Sequence, residues 1–308
     1  MNAAVSAGIL FALTISAFAF TRNEPTAFDN SSHGACGRIV SLAPSITETL
    51  FALDLGGDVV GVTRFCKYPP EVSDLPKVGG FIDPNYEAIL SLKPDTVIAM
   101  TEQEDVAVFL RDKVPNVFTL NAGTVSSILE SLQIIGEKCG KTDKAREVAV
   151  LLNSRMDAIR RNIPSNGEKK KKVMITVGRS MGTGSISDLF ISGVDGFYDK
   201  LIEIAGGENV YRGATIKFPT VSREGILRLN PDIIIEMIPE PDQFNIDTES
   251  VKKEWRKHLS SVSAVKTGNV YIFTDDFSVI PGPRFILVLE KLARVIETSG
   301  KDAEFAGK

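Results

Sequence analysis

Residues able to do chemistry are sparse in this chain of 308 residues, and their types argue mostly by exclusion. There are two histidines, His33 and His258. His33 sits in a polar leader, which leaves no set for a histidine-based zinc or manganese site. A Ser-His-Asp triad could draw only on His258, in the charged stretch KKEWRKH, where an exposed helical histidine is the expectation. The glycine-rich stretch Gly178–Ser185 follows a strand pattern, but it fits neither the phosphate-loop spacing nor G-x-G-x-x-G and lacks the phosphate-loop lysine. It reads as a loop bordering a cleft, because strand C-termini of open α/β sheets point at ligand sites. Asp275 and Asp276 follow a strand pattern and read either as cleft acids or as solvated loop acids. The three cysteines, Cys36, Cys66 and Cys139, form no C-x-x-C; two of them can be joined in an exported protein, and the sequence does not choose the pair. With no catalytic set, metal cluster or cofactor loop, binding is expected rather than turnover.

The elements that would position these residues are those of an ordinary globular protein, at 43% hydrophobic and 24% charged residues. A net charge of −4 is unsuited to nucleic acid, and Lys169–Lys172 reads as a solvated turn ahead of a strand. Ala7–Ala19 is a short apolar run ending in Ala17-Phe18-Ala19, which predicts a signal peptide over 1–19, although no Lys or Arg precedes it. The run is shorter than the roughly 20 residues of a spanning helix. Residues 20–37 read as a flexible leader. Strands are predicted over Arg38–Ala43 and Asp58–Thr63, with a helix over Ser45–Leu53 between them. This alternation implies a mostly parallel sheet in an α/β lobe.

An internal echo carries the organisation further. EAILSLKPD at 87–95 and EGILRLNPD at 224–232 share six of nine positions, and a β-branched run follows each, Thr96–Met100 and Ile233–Met237. In both, a proline stops a short helix and an aspartate opens a strand that lacks polar alternation, as a strand covered on both faces does. Two copies 137 positions apart predict two Rossmann-like lobes on related plans. Between them, apolar residues from Ala145 to Ile163 fall at helical spacing behind Thr142, read as the N-cap. This predicts one rigid helix over 142–164, about 30 Å long, and modest lobe closure. The expected division is an N-terminal lobe over 38–141, the linking helix, and a C-terminal lobe over 165–308 that ends with a helix over Phe285–Thr298.

RIVSLAPSITETLFAL at 38–53, YPPE at 68–71, both echo copies, GGEN at 206–209, FPTVSRE at 218–224 and PGPRF at 281–285 together resemble the helical-backbone class of periplasmic solute-binding proteins of ABC importers. The resemblance spans about Arg38 to Ile296 and is closest to the cobalamin-binding members; iron–siderophore and haem binders are related. It implies an exported, monomeric protein that is not an enzyme. Its cargo would be a corrinoid, held in the interlobe cleft and delivered to a permease dimer with its ATPase. Phe81 and Phe218 stand where those members carry Trp, and would pack on a large flat ligand, with Phe65, Tyr68, Arg179, Asp276 and Phe277 adding to the wall. By motif match, Glu87 and Glu224 would dock into permease arginines. An anionic ferric siderophore or haem is the rival ligand, with Arg64, Arg179 and Arg284 to meet it. A two-lobed α/β oxidoreductase and an extracytoplasmic sensor or scavenger are the readings of other classes.

Overall fold

The structure, a computed structural model, describes residues 35–163, 169–179, 186 and 188–299, with backbone alone at 243–244. The expected signal segment, most of the leader with His33, and Ser180–Ser185 of the glycine-rich loop lie outside the described residues. Lobe 1 comprises β1 (Ile39–Ser41), α1 (Pro44–Ala52), β2 (Val59–Val62), α2 (Tyr86–Ser91), β3 (Thr96–Met100), α3 (Glu104–Arg111), β4 (Asn116–Leu120) and α4 (Val125–Lys138). After α5 (Thr142–Arg161), lobe 2 starts with β5 (Lys172–Gly178), β6 (Leu189–Ile191), α6 (Phe197–Ile204), β7 (Glu208–Asn209) and β8 (Thr220–Val221). It continues with α7 (Arg223–Leu229), β9 (Ile233–Met237), α8 (Thr248–Leu259), α9 (Ser263–Lys266), β10 (Val270–Phe273) and α10 (Phe285–Thr298).

Lobe 1 is a parallel sheet in the order β2-β1-β3-β4, and lobe 2 a sheet in the order β10-β9-β5-β6-β8 with β7 beside β5. In lobe 2 the strands β5, β9 and β10 are parallel, while β6 and β8 run antiparallel. The expected α/β class with mostly parallel sheets is the one observed.

The echo folds the same way twice. Asn85 caps α2, its side-chain oxygen accepting from the Ala88 N–H at 3.0 Å, and Ser222 caps α7 by accepting from Gly225 at 3.3 Å. Each helix then gives way to a residue in left-handed backbone, Lys93 at φ 47° and Asn230 at φ 44°, ahead of the proline. The aspartate does more than open a strand. Asp95 Oδ2 accepts the backbone N–H of Arg38 at 2.8 Å, and Asp232 Oδ2 that of Lys172 at 2.9 Å. Each thus ties its own strand, β3 or β9, to the head of the neighbouring parallel strand, β1 or β5.

Both strands that follow are buried throughout. Alternate residues serve two cores: Ile98 and Met100 of β3 join a central cluster while Val97 and Ala99 face the outer side of lobe 1. In lobe 2, Ile233, Ile235 and Met237 join the same central cluster, and Ile234 packs with Trp255 on the outer side. One continuous core therefore runs under both lobes. α5 lies against it through Ala145, Leu152 and Met156, packing on α4 of lobe 1 and on α6 and α10 of lobe 2. Arg155 ties it to Glu290 of α10 at 2.7 Å. Its start departs from expectation: Thr142 is the first helical residue, and Lys141 holds the cap position without a side-chain bond. The helix closes at Asn162, ahead of Pro164.

Cys36 and Cys139 form a disulfide, joining the chain ahead of β1 to the end of α4. Cys66 remains a buried thiol, which burial pushes up in pKa against hydrogen bonds from Thr47 and Thr63. Among the described residues no helix is long and apolar enough to cross a membrane.

Candidate functional site

Parallel strands present all their C-terminal ends on one edge, and the loops leaving that edge carry the candidate residues. The loop after β2 supplies Arg64, Phe65, Lys67 and Tyr68, and the loop after β10 supplies Asp275, Asp276 and Phe277. The two edges meet. Lys67 bonds Glu240 Oε2 at 2.5 Å, and Arg284, just ahead of α10, bonds Glu48 Oε1 of α1 at 2.6 Å. Arg284 also holds Asp276 at 2.7 Å, and its guanidinium lies 3.9 Å from the Tyr68 ring centre and 5.5 Å from that of Phe277. A single arginine thus gathers Tyr68 from one lobe with Asp276 and Phe277 from the other.

The electrostatics of this junction are uneven. Burial pushes the Glu48 carboxyl up to about 7, outweighing the pull of Arg284. Asp276 feels the same kind of burial, but its hydrogen bond from Arg284 and that cation's charge hold it below the ordinary carboxylate value. Glu48 Oε2 and Arg284 Nε are buried without hydrogen-bond partners among the described residues.

Around the junction lie aromatic faces. Phe65 is 51% exposed and Phe218 is 47% exposed. Arg64 stacks 5.1 Å from the Phe65 ring centre while bonding Asp83 at 2.7 Å. Phe218 meets Tyr198 edge to face at 6.5 Å, and the Tyr198 hydroxyl donates to the Ser278 carbonyl at 2.7 Å, which links Phe218 to the Phe277 segment. Phe81 is less available than expected: it packs on the central core, and its carbonyl accepts from Gln103 at 2.8 Å.

Arg179 stands apart from these aromatic faces. Its side chain is 1% exposed and inside lobe 2, donating Nε to Glu236 at 2.6 Å and Nη1 to Glu254 at 2.7 Å. Glu236 is the one polar residue of the Ile233–Met237 run; it also accepts the Trp255 indole N–H at 2.6 Å. His258 is half-buried, with Nε2 enclosed and without a partner among the described residues, and so is not the exposed helical histidine expected. Sequence reasoning also missed Glu48. The signal was available: a carboxylate between Thr47 and Thr49 in a helix buried from Ser45 to Leu50 must find a cation.

Glu87 and Glu224 are both exposed, each the second residue of its helix. The Glu224 carboxyl is held below its ordinary value by its own backbone N–H and the Ser222 hydroxyl. Asn85 bonds Val78, which bonds Val62 at the C-terminal end of β2, so α2 begins at the cleft edge of lobe 1. Val221, just ahead of α7, pairs with Leu189 beside the end of β5, so α7 begins at the corresponding edge of lobe 2.

Two α/β lobes thus share one core, with aromatic faces and ion pairs where their edges meet. Residues 39–277 match the periplasmic binding protein family, and the chain belongs to it. It is 33% identical over 265 residues to the ABC transporter substrate-binding lipoprotein YvrC of Bacillus subtilis, covering 84% of this chain and 79% of that one. It is 28% identical over 258 residues to the vitamin B12-binding protein of Pectobacterium carotovorum, covering 83% and 86%. Among solved structures, the periplasmic haem-binding protein RhuT of Roseiflexus superposes with a TM-score of 0.70 at 25% identity, over 85% of this chain and 98% of that one. The chain is thus a substrate-binding protein of the ABC-transporter class, working outside the cytoplasm.

Proposed function

We propose that the interlobe edge captures a corrinoid of the cobalamin kind and that the loaded protein delivers it to a permease and its ATPase. One observation carries the choice of ligand: the cations around the aromatic faces are already neutralised. Arg64 is paired with Asp83, Lys67 with Glu240, Arg284 with Glu48 and Asp276, and Lys291 with Asp275. Lys217, exposed beside Phe218, is a fifth cation, set against five acids of which Glu48 titrates only near 7. Beyond Lys217, a ferric siderophore or the propionates of haem would have to break such pairs. A macrocycle whose rim carries neutral amides would not, and Phe65, Tyr68, Phe218 and Phe277 offer it flat apolar contact, with Phe81 behind them. The ligand is held and released with no bond in it changed, by a monomer whose shared core keeps lobe closure small. Glu87 and Glu224 flank the opening and seat the protein on cationic permease side chains.

The ligand is tested by incubating the protein with cyanocobalamin, haemin and a ferric siderophore, then reading the visible spectrum of the protein peak after gel filtration. Cobalamin absorbance is expected in the peak; retention of haemin or the ferric chelate alone would sink the corrinoid reading and keep the clamp. For docking, Glu87→Ala with Glu224→Ala is expected to leave affinity unchanged and abolish uptake. A loss of affinity in that pair would remove their docking role.

A further inference from the structure

A cavity of about 550 Å3 opens within lobe 2 at the C-terminal ends of β5 and β9, and none of the aromatic residues of the clamp lines it. Its wall leads to the clamp, because Met237, Ile238 and Pro239 line it and the next residue, Glu240, reaches Lys67 of lobe 1. Arg179 and Glu254 stand together on that wall. Two of the Arg179 nitrogens bond Glu236 and Glu254, but Nη2 is buried with no partner among the described residues, in a side chain 1% exposed. A buried guanidinium N–H left unmatched is costly and calls for an acceptor. Glu254, bonded to Arg179 through Oε2, keeps 26% of its side chain exposed on the same wall.

An unmet donor beside a partly open carboxylate is the complement of a primary carboxamide. The amide oxygen accepts from Nη2, and the amide NH2 donates to Glu254. The other charge types fit worse. Among the described residues of the wall a carboxylate would face Glu236, Glu254 and Asp247, three acids with one arginine. A cation would satisfy Glu254 and leave Nη2 unmatched. Met237, Ile246 and Val251 give the carbon frame an apolar seat.

We propose that this cavity is a carboxamide-recognition subsite. Resting on the corrinoid reading above, it takes one of the primary amides on the rim of that macrocycle, while the aromatic faces take the ring.

The chain carries its own reporter. Trp255 is the single tryptophan and donates its indole N–H to Glu236, the carboxylate that also holds Arg179. The test titrates benzamide, and benzoate as its anionic twin, into the full protein and follows the Trp255 indole resonance. Benzamide is expected to shift it saturably and benzoate to leave it in place. Glu254→Gln is expected to weaken the benzamide titration at least tenfold, since Gln with its oxygen on Arg179 turns an N–H toward the ligand; an unchanged indole resonance in the free variant shows the fold intact. In parallel, one monocarboxylic acid of cyanocobalamin is expected to bind at least tenfold more weakly than the parent. No response to benzamide, or an equal response to benzoate, overturns the subsite. Benzamide binding without any cobalamin binding keeps the subsite and removes the corrinoid reading. Cobalamin binding with no indole shift and equal affinity for every monocarboxylic acid removes the subsite and keeps the clamp.

Discussion

The two lobes share one plan and lock it in different places. Each has a three-strand parallel core in the same order, β1-β3-β4 in one and β5-β9-β10 in the other, with the echoed helix and aspartate leading into the middle strand. They part at the next strand: β2 runs parallel to β1, whereas β6 runs antiparallel to β5. Lobe 1 is closed by Cys36–Cys139, at the head of β1 and so on the edge opposite the strand C-termini. Lobe 2 has no disulfide among the described residues and is braced by Arg179, Glu236, Glu254 and Trp255, at the C-terminal ends of β5 and β9. A covalent lock adds no chemistry where it sits. An ionic lock leaves donors and acceptors that a ligand can use.

Breaking each lock sharpens the contrast. The disulfide closes a loop of 103 residues, for which the chain-entropy model gives about 4–5 kcal/mol. Cys139→Ser is expected to lose most of that in chemical denaturation, with ligand affinity unchanged. Arg179→Met leaves Glu236 buried without its cation and is expected to cost about 3 kcal/mol or more, with ligand affinity falling as well. Adding Glu236→Leu should recover much of the stability and none of the affinity, because a buried pair replaced by apolar groups is often neutral. Equal losses of affinity from both locks would erase the distinction.

The interlobe arginine gives the next largest effect, and it depends on pH. The folded state holds the Glu48 proton up to about pH 7, whereas the unfolded chain releases it near 4.5. Between those values the folded state binds more protons, so the contribution of Glu48 to stability is full below about pH 4.5, declines as pH rises to about 7 and is flat above. The decline amounts to about 3 kcal/mol. Glu48→Gln should abolish it in denaturation curves taken across that window; a variant with the wild-type slope would show that another group titrates there.

Much of this was legible in the sequence, and the part that was not has a common cause. Prolines after short helices, β-branched runs and the long stripe on α5 are local signals, and each produced its element. The aromatic residues nearest the meeting edges, Phe65, Tyr68, Phe218 and Phe277, follow strands or precede motifs that sequence can place. Partners of buried charges are another matter. Arg179 bonds residues 57 and 75 positions away, and Arg284 bonds one 236 positions away. An arginine after a strand looks the same whether its partners are a ligand or two glutamates. The better cue is the acid in an apolar run, Glu48 in α1 or Glu236 in β9, since neither can stay there alone.

The smallest prediction tests the echo itself. Lys93 and Asn230 occupy the same motif position and nearly the same left-handed backbone, at φ 47° and 44°. For lysine that conformation costs roughly 1 kcal/mol and earns nothing visible in return. Asn230 tolerates it better, and its side-chain oxygen accepts the Ser263 N–H at 2.8 Å, tying the end of α7 to α9. Lys93→Gly is therefore expected to stabilise by roughly 0.5 kcal/mol, strain relief outweighing the added freedom of the unfolded chain. Asn230→Gly removes a hydrogen bond and should destabilise by roughly 1 kcal/mol. Opposite signs in paired denaturation measurements would mean that the copies share a backbone while only the second has built a tertiary contact on it. The same sign for both would mean that the φ angle alone governs the position.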